Sequence, residues 1–322
     1  MKTITTLGID LAKNVFQLHG VNQHGVAVLR KKLRRSSLLP FLANLPPCLI
    51  GLEASSGAHR WQCEMEALGH EVRQMNPAFV KPYRKAGKND MLDAEAICEA
   101  VTRPTMRFVA RKNQEQLDIQ ALHRVRERLV KSRTALGNQA RGILAEHGIV
   151  FPKALSRLRQ ALPALASDLD NELTPACRAL MAEFWEELRD LDARILFKDK
   201  QLREIVRNSD ACKRLMSVPG VGTATTTAMV AAVGDAKQFK GSRQMAAWIG
   251  LVPRQHSSGG TTTLLGITKR GDTYLRTLLI HGARAILRHV QSQNTALSRW
   301  LTALEKRRGA CRAIVALANK LA

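Results

Sequence analysis

Thr3-Ile-Thr-Thr-Leu-Gly-Ile-Asp-Leu-Ala-Lys-Asn-Val-Phe-Gln-Leu18 decides how the front of this chain is read. Apolar and polar residues alternate through it roughly as in a half-buried strand, and Asp10 and Lys13 break what would otherwise start like the apolar core of a signal peptide. Val21-Asn-Gln-His-Gly25 reads as a turn into a second strand over residues 25–33. Pro47-Cys-Leu-Ile-Gly-Leu-Glu53 is a short apolar run that ends in a carboxylate, and Ser55-Ser-Gly57 interrupts it. Residues 58–68 then read as a helix and residues 71–75 as another strand, before Asn76-Pro77.

A hairpin, a third strand, a helix and a strand follow the order of a ribonuclease H-like fold. The basic segment Lys81-Pro-Tyr-Arg-Lys-Ala-Gly-Lys88 leads into Asn89-Asp-Met-Leu-Asp-Ala-Glu-Ala-Ile97. Asn89 reads as an N-cap there, and Asp90 and Asp93, three apart, share one side of the helix's first turn. Residues 114–147 and 176–206 are charged and helical, with Leu188, Leu191, Ile195 and Leu202 at coiled-coil-like spacing and Pro152, Pro163 and Pro175 between them. They read as an antiparallel helical pair or a protruding coiled coil, with a plain helical linker of equal weight. Pro219-Gly-Val-Gly222 lies between helical stretches and resembles a helix-hairpin-helix, in which Gly220 and Gly222 would bring backbone N–H groups to a phosphate. Residues 239–249 read as a helix, 257–265 as loop or short strand, and 272–290 as an amphipathic helix with Arg276, Arg284 and Arg288. The expected division is an α/β domain over 1–110, a helical coiled-coil region over 111–207 and a mostly helical domain over 208–322.

Lys and Arg number 50 against 27 Asp and Glu, a net charge of +23 in 322 residues, which points to a polyanionic partner. The excess is uneven. Residues 207–322 carry 18 basic and 4 acidic side chains, residues 111–205 carry 17 and 14, and residues 1–110 carry 15 and 9. The last third is therefore the expected main nucleic-acid surface. The six cysteines form neither a CxxC pair nor a zinc spacing, and no stretch has the length of a membrane span. A cytoplasmic, nucleoid-associated protein with reduced thiols is the expectation.

Asp10 and Glu53 fall at or near strand ends, and Asp90 and Asp93 open a helix that can pack beside those strands. Two carboxylates about 4 Å apart repel by roughly 4 kcal/mol at an effective dielectric of 20, so four together need protons or cations. Hard oxygen ligands of this kind suit Mg²⁺ (or Mn²⁺). A second feature is Leu251-Val-Pro-Arg-Gln-His-Ser-Ser-Gly-Gly260. A serine hydroxyl is a weak nucleophile that needs a base, a metal or cations, and His256, Arg254, Lys269 and Arg270 stand near in sequence. Taken locally, Ser257-Ser-Gly-Gly260 reads more readily as an ordinary loop.

Gly8-Ile-Asp-Leu-Ala-Lys13, Leu52-Glu-Ala54, Lys88-Asn-Asp-Met-Leu-Asp-Ala94, Val218-Pro-Gly-Val-Gly222, Gly250-Leu-Val-Pro-Arg254, Ser258-Gly259 and Ile267-Thr-Lys-Arg-Gly271 change that balance. Together they resemble the transposases of the one-hundred-and-ten family of insertion sequences, relatives of the Piv/MooV invertases. The resemblance implies a RuvC-like domain with a DEDD set at Asp10, Glu53, Asp90 and Asp93 holding Mg²⁺. It also implies a nucleophilic serine at Ser258, with Ser257 as the neighbouring alternative. Gly220, Gly222, Arg254, Lys269, Arg270 and Arg276 are the expected nucleic-acid contacts. Donor and target DNA, a structured noncoding bridge RNA as guide and a homo-oligomer (dimer or tetramer) with a composite active site are the implied partners. Two other readings stand beside this one: a metal-dependent junction nuclease in which Ser258 is structural, and a non-catalytic nucleic-acid-binding assembly factor.

Overall fold

The computed structural model describes residues 3–85, 90–290 and 295–322. Asn89, expected as an N-cap, lies outside the described residues, as does the side chain of Asp90. The chain forms two compact units, Met1–Asn113 and Gln114–Ala322. Among the described residues no helix is long and apolar enough to cross a membrane.

The first unit is built on a mixed sheet of β1 (Thr6–Asp10), β2 (Val15–Val21), β3 (Ala27–Arg34), β4 (Leu49–Glu53), β5 (Glu71–Met75) and β6 (Phe108–Val109), in the spatial order β3-β2-β1-β4-β5-β6. Strands β1, β2 and β3 form an antiparallel meander, whereas β4 runs parallel to both β1 and β5. The opening stretch therefore makes two strands and a turn where its alternation suggested one strand. The signal is a change of parity: Leu7 and Ile9 face the core from odd positions, Phe16 and Leu18 from even ones. A period-2 pattern shifts in that way only if the chain turns between them.

Leu7, Ile9, Phe16, Leu18, Leu33, Ile50, Leu52 and Val72 bury one face of the sheet beneath α1 (Leu38–Ala43) and α2 (Ala58–Ala67). The other face receives α4 (Asp90–Val101), which follows the short α3 (Pro77–Val80). A Cβ added at Gly8 would stand 2.2 Å from the Ala94 carbonyl oxygen and 2.5 Å from the Cys98 nitrogen, so α4 lies almost on the backbone of β1. That seat sets Asp93 beside the carboxyl end of the strand. Gly8→Ala is expected to destabilise the chain by about 1–3 kcal/mol, since the clash is with backbone that cannot swing aside. Urea unfolding checks it, and an unchanged midpoint would contradict the close seat.

In the second unit α5 (Gln114–Glu146) and α7 (Pro175–Asn208) run antiparallel, as the ion pairs Arg126–Asp199 and Arg133–Asp192 fix by their opposed order. At 33 residues α5 is about 50 Å long. Between them α6 (Leu155–Ser167) packs Leu158 and Leu162 into the same core, and Pro163, read as punctuation, lies inside this helix. There follow α8 (Asp210–Met216), α9 (Thr223–Val233), α10 (Ser242–Ile249), a hairpin of β7 (Pro253–Ser258) and β8 (Thr261–Ile267), α11 (Thr273–His289), α12 (Ala296–Arg308) and α13 (Ala310–Leu321). The helix expected from residue 239 starts at Ser242, and the stretch left as loop or short strand is the hairpin.

Leu251, Leu275, Leu279, Ala283, Leu301 and Leu317 form the core of this region. A buried polar network joins α5 to the later helices: His123 bonds Thr227 of α9 at 2.9 Å and Tyr274 of α11 at 3.1 Å. Burial pushes the His123 imidazole down to about 4, with the Arg126 charge acting in the same direction, so it sits neutral between the two hydroxyls.

Candidate active site: a carboxylate edge and a serine hairpin

Strands β1 and β4 are aligned with Ile9 opposite Leu52, so the next step of the same register places Asp10 opposite Glu53 at the carboxyl ends of two neighbouring parallel strands. Ligand and catalytic groups collect at such ends because the chain leaves the sheet there. Asp10 and Glu53 point to the face that carries α4, opposite to Ile9 and Leu52 in the core. Asp93, one turn into α4, comes to the same edge and is held by Arg84, whose Nε lies 2.5 Å from its Oδ1. Both atoms are buried and poorly aligned for a hydrogen bond, so the contact is an ion pair.

The electrostatics report the crowding. Burial raises the Glu53 carboxyl above its ordinary value, Asp10 and Asp93 push it the same way by like-charge repulsion, and Arg84 opposes them. Three of the four expected acids thus share one edge. Among the described residues no three His, Cys, Asp or Glu are gathered closely enough to hold an ion between them. The donor set is nevertheless the right kind for a divalent cation, being hard carboxylate oxygens that crowd one another, with Arg84 opposing their effect on Glu53. Arg84 belongs to the basic segment that precedes the acidic helix, and nothing in its local sequence singles it out from its neighbours.

The serines occupy the tip of the hairpin in the second unit. Gly259 and Gly260 make its two-residue turn with φ of 54° and 79°, the doubly positive geometry that matches strand twist and that only glycine adopts readily. Every residue of β7 is exposed. Ser257 and Ser258 differ in what their hydroxyls do. Ser257 Oγ accepts from Gln255 Nε2 at 2.7 Å and donates to Thr262 Oγ1 at 3.3 Å. Ser258 has no side-chain hydrogen bond among the described residues, and it lies on the other face of the strand, which it shares with His256 two residues earlier.

The remaining expected contacts divide. Arg254 is exposed on β7, and Lys269 and Arg270 are exposed just beyond β8, where the Lys269 N–H donates to the Gly250 carbonyl at 3.1 Å and Lys269 itself has φ 56°. Arg276 is only 7% exposed and donates to the Ile249 carbonyl at 2.9 Å and to Thr273 Oγ1 at 3.0 Å. Its guanidinium ties α11 to the end of α10, so these donors are used inside the fold and the side chain is not presented at the surface. Gly222 is the N-cap of α9, and Gly220 packs against Gly282 and Ile286 of α11, where a Cβ would stand 2.6 Å from the isoleucine Cδ1.

Two family models match the chain: "Transposase", of the DEDD type, over residues 7–149, and "Transposase IS116/IS110/IS902 family" over residues 212–298. A "Probable family 20 transposase" of Pseudomonas aeruginosa is 49% identical across 98% of this chain and 94% of its own length. The transposase for insertion sequence element IS1111A of Coxiella burnetii is 45% identical across 99% of this chain and 88% of its own, and that for IS1328 of Yersinia enterocolitica 38% across 100% and 96%. The DEDD match implies a ribonuclease H-like first unit, in keeping with the strand order seen, and a requirement for a divalent metal. With both its halves matched and relatives aligned from end to end, the chain belongs to the IS116/IS110/IS902 family of insertion-sequence transposases, enzymes that bind and recombine DNA.

Proposed function

We propose that the chain carries out site-specific transposition through a covalent bond between Ser258 and a DNA strand end, at a site composed of the carboxylate edge and the serine hairpin of the same or different protomers. The observation that carries the reading is the pairing of Asp10 with Glu53 at adjacent strand ends with Asp93 beside them, a concentration of like charge that lifts the Glu53 carboxyl. Asp10, Glu53, Asp90 and Asp93 would hold Mg²⁺ or Mn²⁺. When bound, the ion would polarise the scissile phosphate and offset the charge that builds on it.

The chain's own groups do the rest. Ser258 Oγ attacks phosphorus, its proton passes to His256 on the same strand face, and the bond from phosphorus to the leaving sugar oxygen breaks. Arg254, Lys269 and Arg270 hold the flanking phosphates at the hairpin and its foot. The α8–α9 turn, read as a helix-hairpin-helix, and the α5–α7 pair, read as a coiled coil, are assigned to DNA contact and to assembly as a dimer or tetramer. A structured guide RNA encoded beside the gene would choose donor and target; the end-to-end likeness to insertion-sequence transposases supports that part of the reading.

One observation favours hydrolysis instead: the Ser258 hydroxyl has no activating hydrogen bond among the described residues, and in a junction nuclease water would attack. Recombination of paired donor and target plasmids, with and without the flanking RNA, followed by denaturing electrophoresis of labelled DNA, separates the two. We expect recombinants that depend on the RNA and DNA that stays attached to protein. Cleavage that leaves no attached protein would establish the nuclease.

A further inference from the structure

Strand β3 forms the outer edge of the six-stranded sheet, and its side chains alternate in chemistry as well as in direction. Leu33 turns into the core under α1, and Lys31, on the same side, lies 4.5 Å over the Phe41 ring. Arg30, Lys32 and Arg34 turn the other way, to the face where α4 and the carboxylates stand, and all three are exposed. Register places them closely. Asp10 is opposite Gln17 and Gln17 is opposite Lys32, so Lys32 lies two strand spacings from the carboxylate edge, about 10 Å between Cα atoms.

The three cations are also unspent. Elsewhere in this unit Arg60, Arg73, Arg84, Lys85, Arg103 and Arg111 each hold a carboxylate. Arg30, Lys32 and Arg34 have no ion-pair partner among the described residues, and Glu95, the acid whose charge Arg30 feels, is already taken by Lys85. Alternate residues of a strand repeat every ~6.7 Å, a step close to that between successive phosphates of a nucleic-acid strand.

We infer that the β3 row Arg30, Lys32 and Arg34 is a phosphate-binding rail on which the DNA strand leaving the carboxylate edge is laid, holding it by its backbone without reading its sequence. The inference rests on the reading of that edge as the place where DNA is cut. The competing explanation is that charges on an exposed edge strand prevent edge-to-edge pairing between copies of the chain. The two explanations make different demands. A rail needs the charges on the carboxylate face, whereas an edge guard works with charges on either face.

The test uses the full-length chain and a labelled duplex of random sequence, with affinity measured against salt. In R30Q/K32Q/R34Q the slope of log affinity against log salt should shrink by about 0.9 per charge removed, nearly 3 in all, and in K32Q by about 0.9. K31Q/R35Q removes two cations from the opposite side, where Arg35 lies 4.9 Å over the Trp61 ring, and should leave the slope near that of the parent. Circular dichroism and light scattering establish that each variant is folded and unaggregated. An unchanged slope in the triple variant, or an equal loss per charge in K31Q/R35Q, overturns the rail. Unaltered binding with new self-association establishes the edge guard instead. If the parent itself shows no cleavage of DNA at all, the failure belongs to the reading of the carboxylate edge and not to the rail.

Discussion

Ser258→Ala is expected to lower strand exchange by about a thousandfold or more while leaving DNA affinity within about fivefold of the parent. In the proposed reaction this oxygen is the attacking atom, and its removal leaves the strand end nothing to be joined to at that position. Binding does not need it, because a single exposed hydroxyl contributes about 1 kcal/mol to a contact spread over many phosphates. Ser257→Ala is the informative companion. Its hydroxyl is bonded to Gln255 and Thr262, a local brace at the hairpin, so its loss should cost strand exchange about tenfold or less. Quantitative recombination of donor and target plasmids measures both, and normal recombination by Ser258→Ala would end the proposal of a serine-linked intermediate.

Glu53→Gln should be equally inactive yet more stable than the parent at neutral pH. Burial, Asp10 and Asp93 all raise the Glu53 carboxyl, so the folded state binds its proton more readily than the unfolded chain does. The sign of the linkage follows. Glu53 favours folding below its ordinary value and withdraws that support as pH rises through the raised value, so the parent should weaken across that window while Glu53→Gln does not. A divalent ion held by these acids would supply the same relief at neutral pH. If the carboxylates bind it, Mg²⁺ at about a hundredfold over its dissociation constant should stabilise the parent by ~2.7 kcal/mol and the variant by much less. Thermal unfolding at several pH values with and without Mg²⁺ reads both effects. A parent that gains nothing from Mg²⁺ or Mn²⁺ would remove these acids from the metal-binding role.

Much of the first unit was legible in the chain because its information is short-range. The apolar run that ends at Glu53, the helix over residues 58–68 and the strand over residues 71–75 are each announced by a few consecutive residues, and the structure has them at Leu49–Glu53, Ala58–Ala67 and Glu71–Met75. The turn between Asp10 and Val15 was harder, since alternation continues on both sides and only its parity changes. Arg276 was misleading for a different reason. An arginine on an amphipathic helix in a basic region reads as a surface cation, and only the packing of α11 against the end of α10 makes it an internal hydrogen-bond donor. His123 gave no local signal at all, with partners 104 and 151 residues away.

From its residues alone this protein declared a polyanion-binding chain with carboxylates at strand ends and a serine beside glycines, because charge, periodicity and turn chemistry are properties of neighbouring residues; the enzyme reading came with the resemblance to insertion-sequence transposases. Tertiary structure decided which of those groups meet. Asp10 stands beside Glu53 because two strands separated by the whole β2–β3 meander align in parallel, and Asp93 joins them because Gly8 lets a helix lie on the strand's backbone. Ser257 and Ser258 part company because a pleated strand sends consecutive side chains to opposite faces, so that one hydroxyl is bonded within the hairpin and the other shares a face with His256.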